Sequence, residues 1–140
     1  RYTTVSEEHD HLVTDASAIL QALSARGYRV VAAESSYAPG NPYRGLHVLV
    51  QHADERAVEI QFHSRLSQDV KDRNHVDYEI ERLPATPYVE RAAAFARMVE
   101  RSEQVPPPAG LDQLNQLAGA PVVTKTFPSR YRRDENESRR

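Results

Sequence analysis

Two runs of alternating apolar and polar residues, separated by a short polar segment, constrain this chain more than any other feature. The apolar positions of the two runs are Leu46, Val48, Val50, Val58, Ile60 and Phe62. Side chains on a strand point alternately to opposite faces of a sheet, so each run offers one apolar face to a core. The pattern therefore predicts two neighbouring strands joined as an antiparallel hairpin.

The other face of the predicted hairpin collects polar side chains, namely His47, Gln51, Glu59, Gln61 and His63. Residues directly opposite each other in an antiparallel pair share a face. The two apolar faces therefore coincide only if paired residue numbers sum to an even value. A three-residue loop at 54–56 meets this condition and predicts that His47 lies opposite His63. A slip by one residue would bury Glu59 and His63 in the core, which is costly.

This polar face has two interpretations. It is either the solvated outer surface of an antiparallel sheet or a binding site. Tyr43 and Arg44 stand at the entrance of the first strand, next to the polar cluster. An aromatic ring, a guanidinium, a carboxylate and imidazoles gathered on one surface favour a site. The imidazoles of His47, His63 and the later His75 are expected to lie close together and to titrate near neutral pH.

Composition narrows the class of protein. The chain has 140 residues, of which 39% are hydrophobic and 27% charged, as expected for one globular domain. It has no cysteine, which excludes a disulfide framework and a thiolate zinc site and fits a cytoplasmic protein. The net charge of −2 gives no general attraction to nucleic acid, and no apolar run has the length of a membrane span.

The rest of the chain alternates helical and extended patterns. Helices are expected at 7–26, with Ser6 as N-cap, and at 66–82, 88–101 and 111–117; further extended segments are expected at 1–5, 28–34 and 121–127. The last of these is an edge strand or an extended arm. In the helix at 88–101, Ala92, Phe95, Ala96 and Val99 are expected to form the buried stripe. The predicted fold is α+β, with a mostly antiparallel sheet of about four strands and helices packed on its apolar face.

Punctuation of the chain by prolines suggests its division. Residues 1–104 are expected to form the core, and residues 105–129 a spacer with three consecutive prolines, a short helix and an arm. Residues 130–140, rich in arginine and acidic residues, are expected to be a disordered tail. Because the chain begins at Arg1 without a methionine, we expect it to be part of a larger protein.

The hairpin and the helix after it resemble the synthetase domain of the RelA/SpoT family. The family pattern is Tyr-Arg-Ser-hydrophobic-His, then Glu-Ile-Gln-hydrophobic-Arg-Thr, then a helix with a His and a nearby Tyr. The matching residues here are Tyr43, Arg44, Leu46, His47, Glu59, Ile60, Gln61, Phe62, His75 and Tyr78. Gly45, His63 and Ser64 replace the family's Ser, Arg and Thr. The chain also resembles RelA/SpoT-like modules of actinobacterial toxin-type proteins.

The resemblance implies a nucleotidyltransferase-like fold and transfer of pyrophosphate from ATP to the 3′-hydroxyl of a purine nucleotide such as GDP, GTP, ADP or ATP. It implies that Glu59 is the general base and a ligand of Mg²⁺, and that Gln61 assists it. The residues implied to bind substrate are Tyr43, by stacking on the acceptor purine, and Arg44, His47, His63, His75 and Tyr78. A toxin-type module would also have a cognate antitoxin or immunity protein as a partner.

One part of the family pattern lies outside this match. The family's donor side uses a basic loop and a metal-binding Asp, and both precede the position that Arg1 would occupy. Two alternative functions therefore stay open. One is a catalytically inactive module that binds a nucleotide or a protein. The other is an ADP-ribosyltransferase-like toxin that uses His75, Tyr78 and a Glu.

Overall fold

The computed structural model describes residues 1–127 and Tyr131, and the elements below are those of the described residues. The strands are β1 (Tyr2–Ser6), β2 (Tyr28–Ser35), β3 (Leu46–His52), β4 (Val58–Ser64), β5 (Gln116–Leu117) and β6 (Ala120–Thr124). The α-helices are α1 (Leu12–Ala25), α2 (Arg65–Arg82) and α3 (Tyr88–Glu103), and short 3₁₀ turns span His9–His11 and Leu111–Gln113. None of these helices is both long and apolar enough to cross a membrane.

The described strands form one mixed sheet in the order β1-β4-β3-β2-β6-β5. Strands β4, β3 and β2 are antiparallel neighbours, and β5 is antiparallel to β6. Strand β1 runs parallel to β4, and β6 runs parallel to β2. The α+β class is thus confirmed, whereas the expected four-stranded sheet is a mixed sheet of six strands. Its two parallel pairs join segments far apart in sequence, which local alternation does not reveal.

The hairpin forms as predicted, but its register differs by two residues. Leu46 pairs with Phe62 and His47 pairs with Gln61, so His47 does not lie opposite His63. The even sum of paired numbers is kept, and the apolar faces therefore coincide as expected. The turn after His52 is longer than the predicted loop: Ala53 has a positive φ of 49°, and the Glu55 amide donates to the His52 carbonyl at 3.0 Å.

The apolar face of the sheet packs against α1 in the main core. The buried members of this core are Leu12, Ala16, Leu20, Ala33, Leu46, Val48, Val50, Ile60, Phe62 and Leu117. The predicted helix at 7–26 is shorter at its start, and Ser6 is not its cap. Ser6 ends β1, and its hydroxyl donates to Asp15 at 2.6 Å. Gly27 follows the helix with φ of 93°, a conformation that favours glycine.

Helix α2 begins at a capping box on Ser64 and lies against the polar face of β4. The Ser64 hydroxyl accepts from the Ser67 amide, and the Ser67 hydroxyl accepts from the Ser64 amide. The Lys71 ammonium of this helix donates to Gln61 at 2.9 Å. The expectation that all helices pack on the apolar face is therefore wrong. Helix α1 packs on that face, whereas α2 packs beside the polar face.

Helix α3 packs along α2 and carries a second, smaller core. Its buried residues are Ala94, Phe95, Met98 and Ser102, which differ from the predicted stripe of Ala92, Phe95, Ala96 and Val99. Phe127 stacks on Phe95, with ring centroids 5.6 Å apart, and the buried Tyr131 also contacts Phe95. The stripe is rotated because α3 faces α2 and these C-terminal aromatic residues rather than the sheet.

Within the segment 105–129, residues 116–117 and 120–124 extend the same sheet. The predicted helix at 111–117 is instead a 3₁₀ turn followed by β5. The predicted extended segment at 121–127 forms β6, which lies between β2 and β5 rather than at an edge. Leu117 is buried in the main core beside the strands of residues 1–104. The predicted disordered tail at 130–140 lies outside the described residues, apart from Tyr131.

Candidate functional site

A cleft of about 630 Å³ opens over the polar face of β3 and β4, beside α2. Seven of the eight predicted site residues line this cleft: Tyr43, His47, Glu59, Gln61, His63, His75 and Tyr78. The volume is within the range of small-molecule sites. The hairpin and the helix after it therefore bring together nearly all the residues that the sequence pattern selected.

Arg44 is the exception, because it is not part of the cleft lining. Its guanidinium lies over the ring of Tyr37, 5.8 Å from the centroid. Burial lowers the pKa of the Arg44 guanidinium, while the charge of Glu103 opposes that shift. Arg44 therefore supports the loop that carries Tyr43, and the expectation that it contacts substrate is not met by its position.

Glu59 lies at the centre of the polar face. Its carboxylate is 3.3 Å from the Arg1 guanidinium and 3.4 Å from Nδ1 of His47, and it accepts a hydrogen bond from Gln61 at 3.2 Å. Burial raises the pKa of this carboxyl, but the Gln61 hydrogen bond and the charges of Arg1 and His47 outweigh burial. The net pKa lies below the ordinary value, so Glu59 is ionised at neutral pH.

Arg1 reaches Glu59 because β1 runs parallel to β4. Tyr2 pairs with Ile60 at the start of the two strands. The residues that precede this pair, Arg1 and Glu59, therefore lie side by side. Arg1 is well exposed, with 64% of its side chain accessible. An exposed guanidinium beside a carboxylate is free to turn towards an anionic ligand.

His47 and His63 are close but do not form the charged cluster that the sequence suggested. Their ring centroids are 6.4 Å apart in an edge arrangement. Burial lowers the pKa of His47, with the charges of Glu59 and Glu34 opposing that effect. Burial, with the nearby Lys71 charge, lowers the pKa of His63 to about 4. Both pKa values move down, and for His63, with a pKa of about 4, the expectation of titration near neutral pH is wrong.

His75 belongs to the outer wall of the cleft rather than to this pair. Its ring stacks on Tyr78 with centroids 6.4 Å apart, and its Nε2 is 3.9 Å from the Glu79 carboxylate. About 70% of the side chain is exposed. The i, i+3 spacing of His75 and Tyr78 on α2 places both side chains at the mouth of the cleft.

The structure adds charged residues that the sequence pattern did not select. Glu34 at the end of β2 and Lys125 after β6 both line the cleft. Glu34 pairs with His47 across β2 and β3, and the Lys125 amide donates to the Ser35 carbonyl at 2.8 Å. The alternation of β2 was the only signal for Glu34. No local signal places Lys125, because its position depends on the parallel pairing of β6 with β2.

Lys71 completes the charge of the cleft. Its ammonium donates to Gln61, which in turn donates to Glu59, so the three side chains form a chain from α2 to β4. Lys71 shares one face of α2 with His75 and Tyr78, because the three residues are spaced i, i+4 and i+7. With Arg1 and Lys125 it brings the cations of the lining to three.

Few of these residues could hold the Mg²⁺ that the resemblance implies. No group of three or more His, Cys, Asp or Glu side chains with the geometry of a metal site occurs among residues 1–127 and Tyr131. Glu59 is one carboxylate, already paired with Arg1 and His47. Mg²⁺ commonly takes one or two carboxylates together with substrate phosphates and water. The donor set therefore fits an ion that arrives with a phosphorylated ligand.

Comparison with protein-family models and with curated proteins finds no match to this chain. We therefore infer the function of the protein from the geometry of the cleft and from the residue pattern described above.

Proposed function

We propose that the cleft binds purine nucleotides and that the protein is a RelA/SpoT-like pyrophosphokinase with a nucleotidyltransferase-like fold. One observation carries this proposal: an ionised Glu59 shares the cleft with Tyr43 and with three cations. The cations are Arg1, Lys71 and Lys125. A ring for a base, a carboxylate for a hydroxyl and cations for phosphates are the three groups that such a transfer requires.

The cations come from three separate elements around one acidic centre. Arg1 precedes β1, Lys71 lies on α2 and Lys125 follows β6. Phosphate groups are bound by cations of this kind, and the spread of positions suits an extended polyphosphate chain. On binding, the phosphates would replace Glu59 as the partner of Arg1.

The chemical step follows from the position of Glu59. The carboxylate accepts the proton of the attacking ribose hydroxyl, whose oxygen forms a bond to the β-phosphorus of ATP. The bond between that phosphorus and the α–β bridging oxygen breaks, and AMP leaves. A carboxylate of low pKa is a weak base, but transfers with loose transition states depend more on positioning and charge than on base strength. Gln61 holds the carboxylate in place by its hydrogen bond.

Mg²⁺ enters this proposal only as a companion of the nucleotide. Glu59 is the residue that would contact it, and the ion would neutralise phosphate charge. Tyr43 would lie against the purine. Its backbone amide donates to Asn41 at 2.9 Å, and this bond fixes the loop that presents the ring at the cleft.

The second candidate is nucleotide binding without transfer. It is favoured by the lack, among the described residues, of any group of three or more His, Cys, Asp or Glu side chains that could hold a metal ion. The ADP-ribosyltransferase-like alternative would have a pocket centred on α2, which supplies four lining residues here, whereas β3 and β4 together supply six.

A transfer assay separates the two candidates. The protein is incubated with ATP, Mg²⁺ and GDP or ADP, and ³¹P NMR follows the appearance of AMP and of a 3′-pyrophosphorylated product. The proposal predicts product with the unmodified protein and its loss with Glu59→Gln, which keeps size and hydrogen bonding but removes the base.

Glu55→Gln is the matched control, because Glu55 lies in the β3–β4 turn with 72% of its side chain exposed. It should leave transfer unchanged. Binding of nucleotide without product, by a protein that folds normally, would support the second candidate. Near-normal transfer by Glu59→Gln would remove Glu59 from the mechanism.

A further inference from the structure

His63 has a ring nitrogen that the fold leaves unused. Only 3% of the residue is exposed, and it lines the cleft. Its Nδ1 is 3.0 Å from the Ser67 hydroxyl, but its Nε2 has no hydrogen-bond partner among the residues that the structure describes. Buried polar atoms are nearly always paired, so an unpaired one in a residue that lines a cleft is a candidate contact for a ligand.

The protonation of His63 can be traced through its neighbours. Nε2 of His9 lies 2.6 Å from the Pro106 carbonyl, which can only accept, so Nδ1 of a neutral His9 accepts from the Ser64 hydroxyl, also at 2.6 Å. The Ser67 hydroxyl accepts from the Ser64 amide and has the Ser64 carbonyl at 3.2 Å for its single proton. If this proton is directed to the Ser64 carbonyl rather than to the imidazole, Nδ1 of His63 is the donor in its 3.0 Å contact with Ser67.

With its proton on Nδ1, a neutral His63 keeps a lone pair on Nε2, an atom buried in the wall of the cleft. The positive charge of Lys71 acts on this ring and opposes its protonation. The charges of His47 and Asp72 also act on the ring. A ligand at this nitrogen must therefore donate a hydrogen bond, which a phosphate oxygen without a proton cannot do.

We propose that Nε2 of His63 accepts a hydrogen bond from a sugar hydroxyl of the bound nucleotide, and so makes the cleft selective for ribonucleotides over deoxyribonucleotides. This inference rests on the proposed function, since it requires a nucleotide in the cleft. It narrows the role of His63, which the resemblance implies to bind substrate, to a contact with the sugar. Gly45 makes room for the ring, because its nearest contact is Cε1 of His63.

The first test uses the unmodified protein and calorimetric titration with GDP and ADP. Each is compared with its 2′-deoxy and 3′-deoxy forms at pH 7. Loss of the hydroxyl leaves a buried acceptor unpaired, so one deoxy form of each nucleotide should bind about tenfold more weakly. If the ribonucleotides bind and both deoxy forms bind equally well, this inference fails while the proposed function stands. If none binds, both fail.

A mutant cycle tests whether His63 is the acceptor. His63→Phe keeps a flat ring but removes both nitrogens, and its folding is checked by far-UV circular dichroism. His63→Phe should bind the ribonucleotide about as weakly as the unmodified protein binds the disfavoured deoxy form. It should no longer distinguish the two ligands. His11→Phe, at an exposed histidine outside the cleft, is the control and should keep the selectivity. A His63→Phe protein that folds and still discriminates would overturn the assignment.

¹⁵N NMR of the histidine side chains supplies a readout that needs no variant. Free protein should show His63 neutral with its proton on Nδ1. Saturating ribonucleotide should shift the Nε2 resonance, and the discriminated deoxy form should shift it less. A proton on Nε2 in the free protein, or equal shifts with both ligands, would contradict the proposed hydrogen bond.

Discussion

Gly45 and His63 lie against each other on the polar face of the sheet: a Cβ atom on Gly45 would be 2.9 Å from Cε1 of His63. These are two of the three positions where the chain departs from the RelA/SpoT pattern, which has Ser and Arg there. The departures are structurally coupled, because the imidazole occupies the space that any larger residue at 45 would need. Where that pattern has a hydroxyl and a cation, this chain has one buried, neutral ring.

Gly45→Ala should destabilise the protein through this contact. The backbone at Gly45 does not have a positive φ, so the cost is steric, about 1–3 kcal/mol for an overpacked site. Replacing the ring as well, in Gly45→Ala/His63→Ala, should cost less than the sum of the two single changes. Urea denaturation of the four proteins measures this, and strict additivity would show that the two residues do not interact.

Asp77 ties α2 to α3 and should be a main determinant of stability. Its carboxylate accepts from Arg97 at 2.8 Å and from Arg101 at 2.5 Å, and only 6% of its side chain is exposed. Asp77→Asn should lower the free energy of unfolding by about 2 kcal/mol, between the values for surface and fully buried pairs, because both arginines are partly exposed. Asp72→Asn, at an exposed carboxylate that accepts from Gln68, is the control. A stability loss equal to that of the control would mean that the network is dispensable.

The Asp77 network also predicts acid sensitivity. The Arg97 hydrogen bond, followed by that of Arg101, outweighs burial and lowers the pKa of the Asp77 carboxyl. A depressed carboxyl pKa contributes stability above its unfolded value, near 4, that is lost as pH falls through the folded value. The difference in stability between the parent protein and Asp77→Asn should therefore shrink below pH 4. A constant difference down to pH 2 would contradict this.

Burial of His63 predicts a second loss of stability as pH falls, which begins at a higher pH than the loss from Asp77. Its pKa is lowered to about 4 by burial, whereas an unfolded histidine titrates near 6.5. Between these values the unfolded chain binds a proton that the folded protein does not, so stability falls as pH falls. From pH 7.5 to pH 5 the loss from His63 should be about 2 kcal/mol.

Denaturation of the parent and of His63→Gln across this range tests that prediction, because the variant should lose most of the pH dependence. His75→Gln, at an exposed histidine, is the control. A parent protein whose stability does not change between pH 7.5 and pH 5 would show that His63 is not buried as described.

Tyr43 should contribute to base binding through its ring. Stacking of a base on an aromatic side chain contributes roughly 1–3 kcal/mol, so Tyr43→Ala should weaken purine nucleotide binding about tenfold to a hundredfold. Tyr43→Phe should change it little. Tyr2→Ala removes an exposed tyrosine that does not line the cleft and is the control. Equal binding by Tyr43→Ala and the parent would show that the ring does not touch the ligand.

The sequence predicted those parts of the fold whose signals are local. Alternation over 46–51 and 58–63 gave the hairpin and its polar face, and the periodicity of 66–82 gave α2 within one residue. The register was missed by two residues. The rule that paired residue numbers sum to an even value fixes which face a residue occupies, but it does not fix the length of the turn. The parallel partners β1 and β6 and the rotated stripe of α3 depend on contacts between distant segments, which no local pattern contains.

The candidate site was predicted for the same reason that the hairpin was. The seven predicted residues that line the cleft lie on the loop before β3, on β3, on β4 and on the helix after β4. One continuous segment therefore builds most of the cleft. Lys125 follows β6, a strand about 60 residues away in sequence from that hairpin, and was therefore missed. The protonation of His47 and His63 could not be predicted, because it depends on burial by α2 rather than on residue type.

The most direct test of the central claim is to locate bound nucleotide on the protein. ¹⁵N-labelled protein is titrated with GDP and with ADP in the presence of Mg²⁺, and backbone amide shifts are mapped by residue. We predict saturable shifts concentrated at Glu59, His63 and Lys71, with no change at Ala16 and Leu20 of α1, which lie on the opposite side of the sheet. Absence of shifts at millimolar nucleotide, or shifts centred on α1, would contradict a nucleotide site in this cleft.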